Sequence, residues 1–431
     1  MQASRSRTGR GSFEHTKRVV DMRIAIWHNL PSGGGKRALY NQIRGFLKRG
    51  HTVESWCPPT ADQAYLPLGK LIPEHVVPLD WVSHEKKAIW NRLVGSYRDV
   101  VSLLRAMEEH CRACAQQIND GGFDLLFACP CQFFRVTPIA RSVRLPTILY
   151  LQEPFRWLYE ALPQLPWLAR PAPPRLSPRS MYRSLKDLVH VQGLRIQARE
   201  EVENARAYGQ ILVNSFFSRE SVLRAYGLEA RVCYLGIDTT AFVNNKRPRE
   251  PFLVGLGSMT PEKNARGIIE AVSRLSEPRP PLVWVANAAT PSYRREVEEF
   301  ARSLNVPFEI RLLISDLELV DVLNRAAMML YAPRLEPFGL APLEGNACGL
   351  PVVAVAEGGI RETIVDGVNG LLVDADPEEM ASAIRRLLKD TDHARALGEA
   401  GVRLVNERWS LAAAERRLEE HLERALSLSR R

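Results

Sequence analysis

The chain has 431 residues, 45% of them hydrophobic and 25% charged, which is ordinary for a globular protein but too long for one core. Its net charge of +9 and pI near 9.3 favour acidic partners such as phosphate-bearing substrates or anionic lipid. No apolar run is long enough to span a bilayer, and neither zinc-finger spacing nor an aromatic RNA-binding signature is present, which argues against nucleic acid as a partner.

Residues 1–21 are rich in Arg, Ser and Gly and read as a disordered tail, or as sequence ahead of a true start at Met22; Glu14 and Asp21 interrupt any targeting pattern. From Met22, MRIAIWHNL is a buried strand, Gly33, Gly34 and Gly35 form a turn, and a helix runs to Gly50 ahead of the strand HTVESWC. This order opens a doubly wound sheet, although the glycines match neither the dinucleotide fingerprint nor a P-loop. They suit close approach of a ligand or simply a tight turn. A helix over 95–118, the strand FDLLFACP and the strand LPTILYLQEP follow, leaving Gln152 and Glu153 at a strand's carboxyl end, where ligands collect.

The alternation stops over 155–183, an aromatic, Pro-rich, basic insert. Trp157, Trp167, Arg170, Arg175 and Arg179 suit an anionic membrane surface or closure over an acceptor, and a solvated loop is the plainer alternative. A helix over 184–208, a Ser-capped helix after GQILVNS, and the charged run 244–251, which reads as a linker, complete the first half. The strand–helix alternation then restarts at PFLVGLGSM and runs to a final helix over 410–429. Two doubly wound units imply an α/β chain of two Rossmann-like domains facing a cleft, at 22–245 and 250–405, with residues 406–431 as a closing helix.

The seven cysteines are odd in number and fall on helical or strand patterns, so buried free thiols fit better than a zinc site. Asp374 and Asp376 precede PEEM and read as a helix N-terminus rather than a metal site, and His28 and His51 read as structural.

The densest chemistry lies in YAPRLEPFGLAPLEGNACGLPVVAV, from Tyr331 to Val355, where Glu336 and Glu344 have seven residues between them around a Pro-Phe-Gly turn. Gly339 permits close backbone approach, and the helix after it directs unpaired N–H groups at a ligand. This run, with GSMTPEKN upstream, resembles the donor site of retaining glycosyltransferases of the GT-B fold, family 4, and the likeness extends from Met22 to the C-terminus. The resemblance implies a helix that crosses back to the first domain and no metal or other cofactor. It implies a nucleotide-diphosphate sugar held by the second domain and a carbohydrate or lipid-linked acceptor held by the first. Glu344 would take the ribose hydroxyls, Glu336 the donor sugar, and Lys263 the leaving diphosphate. Gly257, Phe338, Gly339 and Leu340 would bring backbone to sugar and phosphate.

Two positions depart from the family pattern. Ser258 stands where an Arg commonly completes the diphosphate clamp, so Arg334 or Arg361 is the expected replacement cation. Gln152 stands where many relatives carry His and cannot titrate near neutrality, leaving Glu153 as the candidate acceptor-side carboxylate. The resemblance further implies front-face transfer with retention. The basic, aromatic insert and the net positive charge lean toward cell-surface glycan or polysaccharide assembly by a protein resting peripherally on the membrane, and the odd number of cysteines toward the cytoplasm. A sugar- or nucleotide-binding protein without turnover, and a phosphorylase or sugar-phosphate synthase of the same fold, share these features.

Overall fold

The computed structural model describes residues 21–82, 91–161, 164–168 and 177–429. The tail through residue 20, and Arg170 and Arg175 of the insert, lie outside the described residues.

Seven parallel strands form the first sheet: β1 (Arg23–Asn29), β2 (Thr52–Cys57), β3 (Glu74–Val76), β4 (Leu125–Cys131), β5 (Thr147–Gln152), β6 (Gln210–Val213) and β7 (Arg231–Val232). Their order is β3-β2-β1-β4-β5-β6-β7, with Ile24 aligned on Val53 to one side and on Leu125 to the other. Helices cover both faces, so the central strands are mostly apolar, and all of β4 is buried. The winding reverses between β1 and β4, which opens a crevice beyond their carboxyl ends where the Gly33–Gly35 turn lies.

The second sheet repeats the plan with β8 (Leu253–Leu256), β9 (Leu282–Ala286), β10 (Phe308–Leu312), β11 (Met328–Tyr331), β12 (Val352–Val355) and β13 (Gly370–Val373), in the order β10-β9-β8-β11-β12-β13. Here the reversal falls between β8 and β11. The loops that follow these two strands carry Gly257–Lys263 and Arg334–Gly339, so topology alone assembles the motif residues. The two-domain α/β architecture read from the sequence is the one found.

The helix Thr391–Leu404 passes through a wide π turn, Val405–Trp409, and the Leu411–Ser429 helix then lies on the first domain. Ile237 N donates to Trp409 O and Leu411 N to Ile237 O, pinning the crossover. Along the returning helix, Glu419 meets His51 Nε2 at 3.1 Å, and Gln210 meets His421 at 2.9 Å. The crossing at 244–251 is not the loose linker expected from its charge. Arg249 donates to Leu323 O at 2.7 Å and Cys348 O at 2.8 Å, capping the ends of two helices of the second domain, and Arg247 pairs with Asp321. The long helix expected over 184–208 begins earlier, at Pro178, because Ser177 and Ser180 form a reciprocal capping box.

A two-glycine turn fixes the loop that carries Glu336. Gly359 N donates to Glu336 O at 2.8 Å, and a Cβ on Gly359 would stand 2.2 Å from Pro337 O. Gly359→Ala is therefore expected to destabilise the protein by about 1–3 kcal/mol, as overpacking against backbone does. An unchanged denaturation midpoint in urea would contradict this close packing.

Candidate functional site

The second-domain wall begins at Gly257, whose positive φ of 147° turns the chain out of β8. Its N–H donates to Val285 O, and its carbonyl accepts from Trp284 Nε1 at 2.8 Å. Ser258 spends its hydroxyl on Asn287 Oδ1 at 2.9 Å. A single tight turn, Pro261–Lys263, then presents Lys263, and Asn264 caps the next helix through its side chain. Lys263 Nζ lies 2.6 Å from Glu336 Oε2, with both side chains largely covered. Burial, with the negative charges of Glu336 and Glu344 nearby, pushes the pKa of the Tyr331 hydroxyl well above the usual range.

Gly339, at φ 89°, starts the Leu340–Ala347 helix, and Glu344 projects from it, nearly buried. Glu344 Oε1 lies 3.2 Å from Arg37 Nη1, a residue of the first domain. Burial pushes the Glu344 pKa up, Arg37 draws it down, and the nearby Asp316 adds to the rise. Leu340 lines the hollow beside this pair, together with Tyr40 and Asp238. Phe338 turns its ring away from the cleft, against Tyr234 and Trp409 at centroid distances of 6.1 and 5.6 Å.

On the facing wall, a Cβ at Gly33 would reach 4.0 Å from Asn287 Nδ2, Gly34 is open, and Gly35 abuts the Gln152 amide. Gln152 sits at an irregularity in β5 with φ 64°, a left-handed conformation that places the following Glu153 toward the cleft. Glu153 lies between Arg135 at 3.5 Å and Arg156 at 3.7 Å. Burial raises its pKa, the two arginines lower it, and the charge of Glu336 across the cleft raises it again. Arg156 also bridges the domains by donating to Arg334 O at 2.8 Å.

The structure thus gathers Gly33, Gly34, Gly35, Gln152, Glu153, Gly257, Ser258, Lys263, Glu336, Gly339, Leu340 and Glu344 around one cleft. Arg334 comes to the same loops, its backbone N–H donating to Glu262 O at 2.8 Å beside Lys263, but its side chain is exposed and pairs with Glu357 at 3.6 Å; Arg361 is likewise exposed and donates to Gly358 O. Sequence reasoning missed Arg37, Arg135 and Arg156. A signal for Arg37 existed, because Lys36 and Arg37 open the Gly34–Lys48 helix, where cations oppose the helix dipole and no acidic residue offsets them.

Other positions take structural parts. Asp376 Oδ1 accepts from the amides of Glu378 and Glu379 as a helix cap. The seven cysteines are buried and unbridged. His28 meets Glu74 at 3.1 Å, and with Cys57 these two form a cluster of donors within 4.8 Å of one another that could hold a cation. The buried ammonium of Lys36 beside them opposes a metal there, and burial with Glu74 pushes the Cys57 thiol up to about 12.

With this geometry in place, residues 236–403 match the model of the family of glycosyl transferases group 1. The chain is 29% identical over 257 residues to an alpha-maltose-1-phosphate synthase of Mycolicibacterium smegmatis, covering 53% of this chain and 66% of that protein. It is 33% identical over 169 residues to a D-inositol 3-phosphate glycosyltransferase of Xylanimonas cellulosilytica, covering 38% and 40%. The chain therefore spans two thirds or less of the length of these curated relatives. Among solved structures, sucrose-phosphate synthase from Thermosynechococcus elongatus superposes with a TM-score of 0.69 at 17% identity, covering 94% of this chain and all of that one. Anabaena HepE in complex with UDP superposes with a TM-score of 0.65, also at 17% identity, covering 93% and 100%. These likenesses establish the GT-B fold.

The two partners pull in opposite directions: burial raises the Glu344 pKa, whereas Arg37, though burial works against its charge, is held more firmly protonated by Glu344. Removing the carboxylate leaves the covered guanidinium one partner short, so Glu344→Gln is expected to melt below the parent at about pH 7, as breaking a covered ion pair does. An unchanged melting temperature would refute this.

Proposed function

We propose that this chain is a glycosyltransferase of group 1 that moves a sugar from a nucleotide-diphosphate sugar to an acceptor hydroxyl with retention of configuration. The observation that carries this reading is the contact of Lys263 with Glu336, set between the glycine loops at the switch points of both sheets and one helical segment from Glu344. Glu344 would accept both ribose hydroxyls, as an ionised carboxylate can. Lys263 would leave Glu336 for the departing diphosphate, freeing Glu336 to support positive charge at the anomeric carbon. The acceptor would enter beside Gln152 and Glu153 and attack on the face the diphosphate leaves, its proton passing to the leaving phosphate. Closure of the cleft would exclude water and suppress donor hydrolysis. The reading calls on no metal or other cofactor.

Nucleoside diphosphates and their sugars are expected to raise the melting temperature of the chain by mass action. Glu336→Ala is expected to lower kcat for donor turnover by about 10²-fold or more while retaining nucleotide binding. Stabilisation by a nucleotide sugar without any turnover in the parent would instead mark a binding protein. Preference for a sugar phosphate as acceptor would favour a synthase, the activity named for the maltose-1-phosphate relative.

The acceptor class is proposed to be lipid-linked, in cell-surface glycan assembly by a cytoplasmic protein. No helix among the described residues is long and apolar enough to cross a membrane. The start of the Pro178–Arg206 helix nevertheless exposes Met181, Leu185 and Leu188 at helical spacing, interleaved with Arg179, Arg183 and Lys186. Trp157 and Trp167 are also exposed nearby in sequence. Such a face suits an anionic bilayer surface. The chain is expected to co-sediment with vesicles containing phosphatidylglycerol and not with pure phosphatidylcholine, and a Leu185→Glu, Leu188→Glu variant is expected to remain in solution. Equal sedimentation of the variant would remove this face from consideration.

A further inference from the structure

The donor reading leaves the diphosphate with one cation, Lys263, because Ser258 carries no charge and its hydroxyl is held by Asn287. A diphosphate in a poorly solvated cleft calls for more than one positive partner. Arg334 and Arg361 face solvent. The facing domain, however, carries a guanidinium directly to the second-domain wall.

Arg37 lies in the first turn of the Gly34–Lys48 helix, immediately after the glycine loop. Its three nitrogens are each engaged: Nη1 with Glu344 at 3.2 Å, Nη2 with Asp316 at 2.9 Å, and Nε with the Tyr65 hydroxyl at 2.9 Å. The two carboxylates belong to the second domain, so this one side chain crosses the cleft. The same short segment begins at Gly33, which faces Asn287 and hence the Ser258 loop. Gly33 to Arg37 therefore runs alongside the path from the diphosphate loop to the ribose carboxylate.

A nucleotide entering that path asks Glu344 for the lone pairs that Arg37 now uses. A covered guanidinium that loses a carboxylate must find another anion, since leaving it unpaired is costly. The anion at hand is on the incoming ligand itself, and a guanidinium fork suits phosphate oxygens geometrically. We propose that Arg37 supplies the second cation of the diphosphate site from across the cleft, exchanging Glu344 for phosphate when the nucleotide enters. This rests on the nucleotide reading of the cleft. It also makes the phosphate, rather than the nucleoside, the part of the ligand that draws the two domains together.

The test compares nucleoside and nucleoside diphosphate on the full chain. Uridine, guanosine and adenosine with their diphosphates are titrated calorimetrically into the parent, and the best-binding pair is carried to Arg37→Gln and Arg37→Lys. Arg37→Gln is expected to weaken the diphosphate by about 10- to 100-fold, the loss of a charged hydrogen bond. Binding of the matching nucleoside is expected to hold or tighten, because Glu344 is freed. Arg37→Lys, which keeps charge without the fork, is expected to fall between. If both ligands tighten equally in Arg37→Gln, the residue only blocks Glu344 and the proposal fails. Equal weakening of both marks a structural role, and no change in either also overturns it. A parent that binds none of the three diphosphates defeats the nucleotide reading itself, a different result from a parent that binds and a variant that does not differ.

Discussion

The cleft exists in its present shape because one carboxylate of the second domain sits on a helix end of the first. Glu362 accepts from Phe216 N at 2.9 Å and Phe217 N at 3.0 Å, the leading amides of the Phe216–Tyr226 helix, and from the Tyr234 hydroxyl at 2.9 Å. Those amides have no intrahelical partner, and the helix dipole favours negative charge there. Beside them, the Ser215 hydroxyl donates to Pro337 O at 2.5 Å while its oxygen accepts from Ser218 N. The loop that carries Glu336 is thus held from its own domain through Gly359 and from the other through Ser215. Both bonds are accepted by the loop's own backbone carbonyls, Glu336 O and Pro337 O, so its position does not hang on the Glu336 side chain, which is what a site demanding sub-ångström placement needs.

Charge in the cleft is balanced pair by pair in the free protein. Glu336 has Lys263, Glu344 has Arg37, and Glu153 has Arg135 and Arg156. Burial pushes the pKa values of Glu344 and Glu153 upward even so, meaning that the fold bears an electrostatic cost at these positions. Such pairs add little to stability once desolvation is counted. They orient the carboxylates, and they are exchangeable: ligand hydroxyls can donate to the carboxylates while ligand phosphates accept from the cations.

Much of this was legible in the sequence because the signals are local. Strand runs, the Glu336–Glu344 spacing, the caps at Ser215 and Asp376, and the order of the motifs all depend on neighbours within a few residues. What the sequence hid depends on pairs far apart. Arg37 and Glu344 are 307 residues apart, and no periodicity joins them. The charged run 244–251 looked like a tether because Arg249 has its carbonyl partners some 74 and 99 residues downstream. The start of the Pro178–Arg206 helix, by contrast, was readable: Ser177, Pro178 and Ser180 spell an N-terminus, and the Pro-rich composition around them masked it.

Phe338 shows how little separates the site from the crossover back to the first domain. The resemblance gave this residue a backbone role at the donor, and nothing in its geometry opposes that role, since only the ring is taken up elsewhere. The ring packs with Tyr234, from the end of the first domain, and with Trp409, from the π turn where the chain crosses back. Tyr234 is also the residue whose hydroxyl reaches Glu362. An aromatic cluster of this kind favours a few tilted and edge-on arrangements over a continuum. A relative rotation of the domains must therefore repack Phe338, and repacking Phe338 moves Gly339 and the amides that begin the Leu340–Ala347 helix.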